Sequence, residues 1–400
     1  MPEFLPFPGI RYRDDDITAV SAPPYDVIEP EARAALQARD PHNAVRLILP
    51  DTYEAAASAL TQWLDDGVLV TDDAPSFSIY QMEFTGDDGV PQRTTGVLGA
   101  LALDDDGSGV MPHERTLPKA KSDRLELLRA TRANLDPIWG LSLAGGLSGL
   151  LEPGAVRPDT TAVDEDGFQH SLWRVDDAAR VQEISAAVGS ELVVLADGHH
   201  RFETAGNYRR ERRAAGIDDP GADAIMTLIV ELAPNQLCVR AIHRLLSGVG
   251  DVDLRDALSG PFFVHSAGPN VPEGVAALEV AMRDGGSLGL VDREGLALLM
   301  PTAELEERMA AFPVELRDVD SARFDAGVLP AVPNATLAYR NDARTVAAQV
   351  EKGAADAAVL LRPVDVHTIR VAAAADLRMP EKTTFFAPKP RTGIVFRSLD

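Results

Sequence analysis

Apolar positions along the chain fall into short runs and amphipathic stretches that alternate from one end to the other. Residues 192–195, Leu-Val-Val-Leu, form a compact, partly β-branched run of the kind that suits a buried strand. Ala196-Asp197-Gly198-His199-His200-Arg201 follows, and residues 201–213 are then rich in good helix formers and closed by Gly216. The pattern predicts strand, turn and helix, with a dense polar cluster at the joint. Helical periodicity also predicts helices over 29–39, with Pro30 early in the first turn, and over 52–65, ending at Gly67. Further helices are expected over 123–133, 181–188, 303–311, 345–352 and 364–375.

Strand-like runs occupy 44–49, 77–84, 94–103, 172–175, 288–292, 296–300, 357–361 and 394–396, and a hairpin turn at 87–89 joins two of them. Residues 224–232 and 237–245 are two more, connected by Ala-Pro-Asn-Gln as a hairpin. Between these elements, 7–16 reads as a polar opening segment, 104–109 as an exposed acidic loop, and 141–151 as a flexible apolar loop. Residues 152–171 read as an irregular linker, and 266–274 as a break rich in Pro and Gly. The mixture predicts an α/β fold of mixed sheets with flanking helices. An N-terminal region over 1–260 and a C-terminal α/β lobe over 261–400 meet near Gly260.

Composition narrows the function. A chain of 400 residues exceeds most single cores, and 45% hydrophobic with 25% charged residues is an ordinary globular balance. No apolar run reaches bilayer length, and the first residues lack the basic and apolar regions of a signal peptide, so a cytoplasmic location is expected. The lone Cys238 lies in an apolar run and reads as a buried core thiol. A net charge of −24 argues against an extended nucleic-acid surface, so a nucleotide would need a local basic pocket. Of 38 basic residues only five are lysines, and four of them, Lys119, Lys121, Lys382 and Lys389, sit in polar motifs. Ammonium and guanidinium are not interchangeable at a phosphate, which makes those four candidates for chemistry.

Four constellations carry that chemistry. Pro23-Pro24-Tyr25-Asp26-Val27-Ile28 presents Tyr25 and Asp26 from a rigid extended loop, either as a structural turn or as part of a site. Residues 111–124 bring His113, Glu114, Arg115, Lys119 and Lys121 to the end of a strand. His113-Glu114 opens like a zinc protease motif, but Leu117 stands where the second histidine belongs. Glu114 is better suited to a general base and Arg115 to a phosphorylated ligand; a solvated ion-pair cluster is the alternative. At the central joint the start of a helix favours an anion, with Gly198 and His199 offering backbone N–H groups and His200 and Arg201 offering charge. Met379 to Gly393 gathers Lys382, Thr383, Thr384, Lys389 and Arg391 between prolines, a hydroxyl and cation set that can hold phosphates. His243-Arg244 closes an apolar strand, the histidine reading as structural.

Pro23-Pro-Tyr-Asp-Val-Ile28, Pro112-His-Glu-Arg-Thr116, Ala196-Asp-Gly-His-His-Arg201, His243-Arg244 and Met379 to Lys389, in this order, resemble the bacterial and archaeal domain of unknown function 1015 family across essentially the whole chain. More distantly, Asp197-Gly-His-His-Arg201 is similar to a motif of the ParB and sulfiredoxin-like superfamily, which includes kinases that phosphorylate free serine. That resemblance implies a strand-turn-helix core that holds nucleotide phosphates at the start of a helix.

The resulting expectation is a nucleotide-dependent phosphotransferase acting on a small hydroxyl compound, with serine as the favoured acceptor. ATP or ADP with Mg2+ is the expected cofactor set, and no dedicated metal cage is visible in the sequence. Glu114 or Asp197 would take the hydroxyl proton, with His200 assisting the transfer. Gly198, His199, Arg201, Lys382, Thr383 and Lys389 would hold the phosphates, and Tyr25, Asp26, His113, Arg115 and Arg244 would face the acceptor. The rival is a regulatory switch that binds the same nucleotide without transfer.

Overall fold

The apolar run around residue 193 forms the strand Val193–Asp197 in the computed structural model, which describes residues 1–86, 89–103, 109–112, 121–250 and 252–400. Its first four residues are buried, as expected of a continuous apolar run with sheet on both sides. It runs parallel to Val110–Pro112 on one side and antiparallel to Ile138–Ser142 on the other. These strands belong to a nine-stranded mixed sheet. After them come Ala224–Glu231, Pro91–Ala102, Phe77–Thr85, Gln169–Val175 and Thr160–Val163, while Phe4–Leu5 lies beside Pro91–Ala102. Ile184 and Val188, from the helix Ala178–Gly189, pack with Val97, Leu101, Val193 and Ile229 of the sheet. Ala205 and Phe202, from the helix His199–Ala214, pack on Leu103, Ile138, Leu195 and Ile225.

The chain is a mixed α/β protein of two units. Of the described residues, the first unit comprises 1–112, 121–238 and 388–400, and the second comprises 239–387. The crossing thus falls near residue 238, ahead of the boundary that composition suggests at 260. The expected hairpin between 224–232 and 237–245 does not form. Ala224–Glu231 pairs with Pro91–Ala102 and Ile138–Ser142, whereas residues 239–241 pair with Thr384–Ala387 and His243–Ser247 enters another sheet. Apolar runs of similar character carry no label for which sheet will take them. Cys238, expected as a buried thiol, is half-buried.

A second sheet of the first unit sets the path of the C-terminal segment. Phe396–Ser398 lies between Gly9–Tyr12 and Ala133–Asn134, with Leu69–Thr71 outside Gly9–Tyr12. The segment 7–16 therefore carries a strand that its polar character hid. Residues 44–49, expected as a strand, contain the short helix Val45–Ile48, started where the Val45 N–H donates to the Asn43 side chain. The flexible loop expected over 141–151 is the end of a buried strand and a short helix, Leu147–Leu150. The linker expected over 152–171 holds Thr160–Val163 and the first three residues of Gln169–Val175, paired antiparallel across a turn in which Asp164 accepts the N–H groups of Asp166 and Phe168.

The second unit is built on an antiparallel six-stranded sheet in the order Phe262–Gly268, Gly295–Pro301, Leu288–Asp292, Ala357–Leu360, His243–Ser247 and Thr336–Arg340. Val275, Leu278 and Met282 of the helix Pro272–Gly285 and Val346, Ala347 and Val350 of Ala343–Glu351 cover Leu245, Val291, Leu296 and Leu360. The break expected over 266–274 is in fact a strand end and the start of that first helix. Among the described residues no helix is long and apolar enough to cross a membrane.

Candidate functional site

The strand Val193–Asp197 ends at Gly198, whose backbone is left-handed at φ 85° and ψ 25°. That conformation favours glycine, and space demands it too: a Cβ on Gly198 would lie 2.7 Å from Ile138 Cγ2. The helix begins at once, with His199, His200 and Arg201 as its first three residues, two residues earlier than helix propensity indicates. Gly198 provides no side-chain cap, and the first turn holds no acidic residue to offset the positive end of a 16-residue helix. His199 and His200 are both half-buried there.

Asp197, the last residue of the strand, is gripped from two directions. Lys389 donates Nζ–H to Oδ1 at 2.8 Å, and Arg201 donates Nη2–H to Oδ2 at 3.1 Å. Burial opposes ionisation of this carboxyl, but Lys389 and then Arg201 overcome that penalty and hold its pKa well below the usual carboxylate range. Arg201 is fixed in turn by the Pro137 carbonyl, which accepts from Nη1 at 2.6 Å. Asp197 thus fixes two cations at the start of a helix, where backbone N–H groups converge.

Lys389 reaches this place because its neighbours are pinned. The Arg391 N–H donates to the Tyr80 hydroxyl at 3.1 Å, and that hydroxyl therefore gives its own proton to His170 Nδ1 at 2.8 Å. His170 Nε2 then donates to Asp164 at 3.2 Å. The Arg391 side chain bonds Glu165 and Ser21, and Ala22 and Thr392 exchange backbone hydrogen bonds.

On the far side of Arg201 stands Asp136, a residue that sequence motifs did not single out. It is 9% exposed and accepts a hydrogen bond from the Thr392 hydroxyl. Burial raises its pKa above the ordinary carboxylate value, Asp26 adds to that, and Arg201, Thr392 and Arg124 only partly oppose it. Arg201 thus acts on two carboxylates whose acidities are pushed in opposite directions.

The Pro-Pro-Tyr-Asp segment joins this site. Tyr25 starts a short 3-10 helix, and its ring lies under the Arg124 guanidinium at 4.3 Å and near that of Arg201 at 5.9 Å. Burial raises the Tyr25 pKa, so its hydroxyl stays neutral. Asp26 is exposed beside it. The first unit therefore brings together Tyr25, Asp26, Asp197, Gly198, His199, His200, Arg201 and Lys389 from the sequence motifs, and adds Arg124, Asp136 and Thr392. His113, Glu114 and Arg115 lie outside the described residues.

Arg244, Lys382 and Thr383 belong to the second unit. Arg244 is 2% exposed, lies over Tyr339 at 5.2 Å, and donates to the carbonyls of Lys382 at 2.8 Å and Glu381 at 3.2 Å. Lys382 sits in the left-handed region at φ 55°, and the Thr383 hydroxyl donates to the Pro380 carbonyl at 2.6 Å while sharing a bond with Ser321. In this unit Arg244 shapes the turn that carries the lysine. Among the described residues no group of three His, Cys, Asp or Glu side chains is arranged to hold a metal.

A family model described as a protein of unknown function, DUF1015, matches residues 4–320. The chain belongs to this family. No curated protein matches the DUF1015 chain. Among solved structures it is similar to a free serine kinase mutant in complex with AMP, at 15% identity and a TM-score of 0.38, covering 73% of this chain and 87% of that one. It is also similar to a conserved hypothetical protein from Pyrococcus furiosus, at 13% identity and a TM-score of 0.38, covering 76% and 95%. A third is SbnI with a C-terminal truncation from Staphylococcus aureus, at 12% identity and a TM-score of 0.37, covering 74% and 85%.

Proposed function

We propose that this DUF1015 protein is a nucleotide-dependent phosphotransferase that binds phosphates at the start of the helix His199–Ala214 and transfers one to a small hydroxyl compound. The observation that carries this reading is Asp197 held between Lys389 and Arg201 at the glycine-capped end of that helix. A carboxylate acidified by two cations is a poor base and a good anchor. It fixes both cations beside the helix end, which adds about half a positive charge. Gly198 takes the left-handed turn, against Ile138, that starts the helix directly after the strand, and His199 and His200 line the same turn. These residues fit a chain of phosphates.

A nucleoside triphosphate with Mg2+ would supply the phosphoryl group and neutralise charge on its leaving oxygens. Magnesium is ordinarily held by phosphate oxygens, waters and one or two carboxylates, so it would enter with the nucleotide. Asp136 is the carboxylate suited to take the proton from the acceptor hydroxyl, since burial makes it the more basic of the pair flanking Arg201. Glu114 is the other candidate for that step. Tyr25, against Arg124 and Arg201, and Asp26 beside it would face the acceptor from the entrance side.

The test is nucleotide turnover by the purified protein with Mg2+ across ATP, ADP, CTP and GTP, with and without small hydroxyl compounds including serine. Turnover that requires one acceptor, and is lost in Asp136→Asn or Glu114→Gln and in His200→Ala, is the expected result. Tight nucleotide binding with no acceptor-dependent turnover would refute transfer and favour a regulatory switch.

A further inference from the structure

Thr204 lies three residues beyond Arg201 on the helix His199–Ala214, is 2% exposed, and has a hydroxyl with no hydrogen-bond partner. A buried hydroxyl without a partner costs stability, and valine would fill the same volume without that cost. Thr204 lines a cavity of about 60 Å³ within the first unit, floored by Leu127, Leu128, Leu135 and Ile225. At about 10–15 Å³ per water-sized position on this measure, it has room for about four to six heavy atoms.

The polar groups of the cavity wall are mostly committed. Arg201 donates to Pro137 and Asp197, and Arg124 donates to the Ile48 carbonyl and to Asp123. The Asn134 side-chain oxygen accepts from the Met226 N–H and from Arg397. Asp136 accepts from Thr392 through Oδ1 and makes no other hydrogen bond among the described residues. The Asp136 carboxylate, the Asn134 amide N–H groups and the Thr204 hydroxyl are therefore the groups with capacity left, set in an otherwise apolar pocket beside the turn at Gly198.

We propose that this cavity is the acceptor subsite and selects a compact aliphatic compound of two to four carbons, with the reacting hydroxyl on Asp136 and a second polar group on Thr204. The proposal rests on the phosphoryl-transfer reading and adds the substrate class and the residue that reads it. In the step, the acceptor oxygen forms a bond to the terminal phosphorus of a nucleoside triphosphate as the bond to the bridging oxygen breaks. The nucleoside diphosphate leaves with that electron pair, and the acceptor proton passes to the Asp136 carboxylate. A bulkier acceptor would meet the leucines, and a hydrocarbon lacking the second polar group would leave Thr204 unsatisfied.

The experiment uses the full chain with 1,2-propanediol, glycerol, 2-aminoethanol and lactate as probes, their binding read by saturation-transfer NMR and their KM by nucleotide turnover. Affinity of Mg2+ and ADP is measured on the same samples. At least one probe should bind, Thr204→Val should weaken it about five- to tenfold as one lost hydrogen bond predicts, and Thr204→Ser should retain it. ADP affinity should be unchanged in both variants. Thr204→Val should melt no lower than the parent; if it does, Ala205→Leu, which fills the cavity from the same helix, gives the second measurement. Absence of probe binding, or turnover with an acceptor KM unmoved by Thr204→Val and Ala205→Leu, overturns the subsite while leaving phosphoryl transfer standing. Thr204-dependent probe binding by a protein that binds no ADP keeps the cavity as a small-hydroxyl site and overturns transfer.

Discussion

Lys389→Met tests how charge is held at the head of the site. The ammonium is 12% exposed and the Asp197 carboxylate 23% exposed, with 2.8 Å between nitrogen and oxygen. At an effective dielectric of about 20, unit charges that close attract by about 6 kcal/mol, but most of this offsets the desolvation of two ions. Removing one partner while Arg201 still holds the other should destabilise the first unit by about 2 kcal/mol at pH 7. The sign with pH follows from the depressed acidity of Asp197. Its contribution is fully present above the unfolded pKa near 3.8 and fades as pH falls below that value, so the gap between parent and variant should shrink in acid. All three tryptophans, Trp63, Trp139 and Trp173, lie in the first unit, so urea unfolding followed by their fluorescence reports that unit alone. Asp197→Asn and the double variant complete a cycle that isolates the pair. The same substitution should weaken ADP binding about 10- to 100-fold, the value of a charge-assisted hydrogen bond to phosphate. Equal unfolding midpoints at pH 7 together with equal ADP affinity would refute the reasoning.

Three further outcomes are expected. Gly198→Ala, at φ 85° and with its new Cβ 2.7 Å from Ile138, should cost about 2 kcal/mol in the fluorescence-detected transition, and should weaken ADP binding further by moving the turn. Asp136→Asn should stabilise the first unit at pH 7: because burial raises the pKa of Asp136, its folded-state stability is full in acid and is lost as pH rises through that pKa. That gain should vanish near pH 3, where both forms are neutral; a destabilised variant at pH 7 would count against a strained, functional carboxylate. In the second unit, burial and then Arg244 lower the His243 pKa to about 4. Its neutral form accepts the Leu361 N–H at 3.1 Å. Against an unfolded pKa of 6.5, stability there is full above that value and should fall by about 3 kcal/mol as pH drops to 4. Amide exchange in Ala357–Leu360 measures it, and His243→Gln should flatten the dependence.

Local chemistry made the central joint legible from the chain alone. A β-branched run, a glycine and a stretch of helix formers can hardly be arranged otherwise, and the left-handed turn at Gly198 follows from the same constraint. The rarity of lysine in an arginine-rich chain marked Lys389, which stands 192 residues from the Asp197 it bonds. The helices that begin after Thr52 and Asp365 were readable because each carries a side-chain cap within its own few residues. Elements without such local signals were not. Residues 44–49 form a helix because Asn43 starts one there, and a short, fully apolar run fits either state. The fate of 237–245 depends on which sheet offers a free edge. Asp136 could not be recognised from its neighbours. Its acidity is set by Arg201, Thr392, Arg124 and Asp26, which approach from distant parts of the chain, and by burial, which only the packed unit creates. Strand, turn and cap are decided by interactions a few residues long, so the sequence determined them. Which carboxylate anchors charge and which can take a proton depends on solvent exclusion and long-range charge, and that was decided by the tertiary structure.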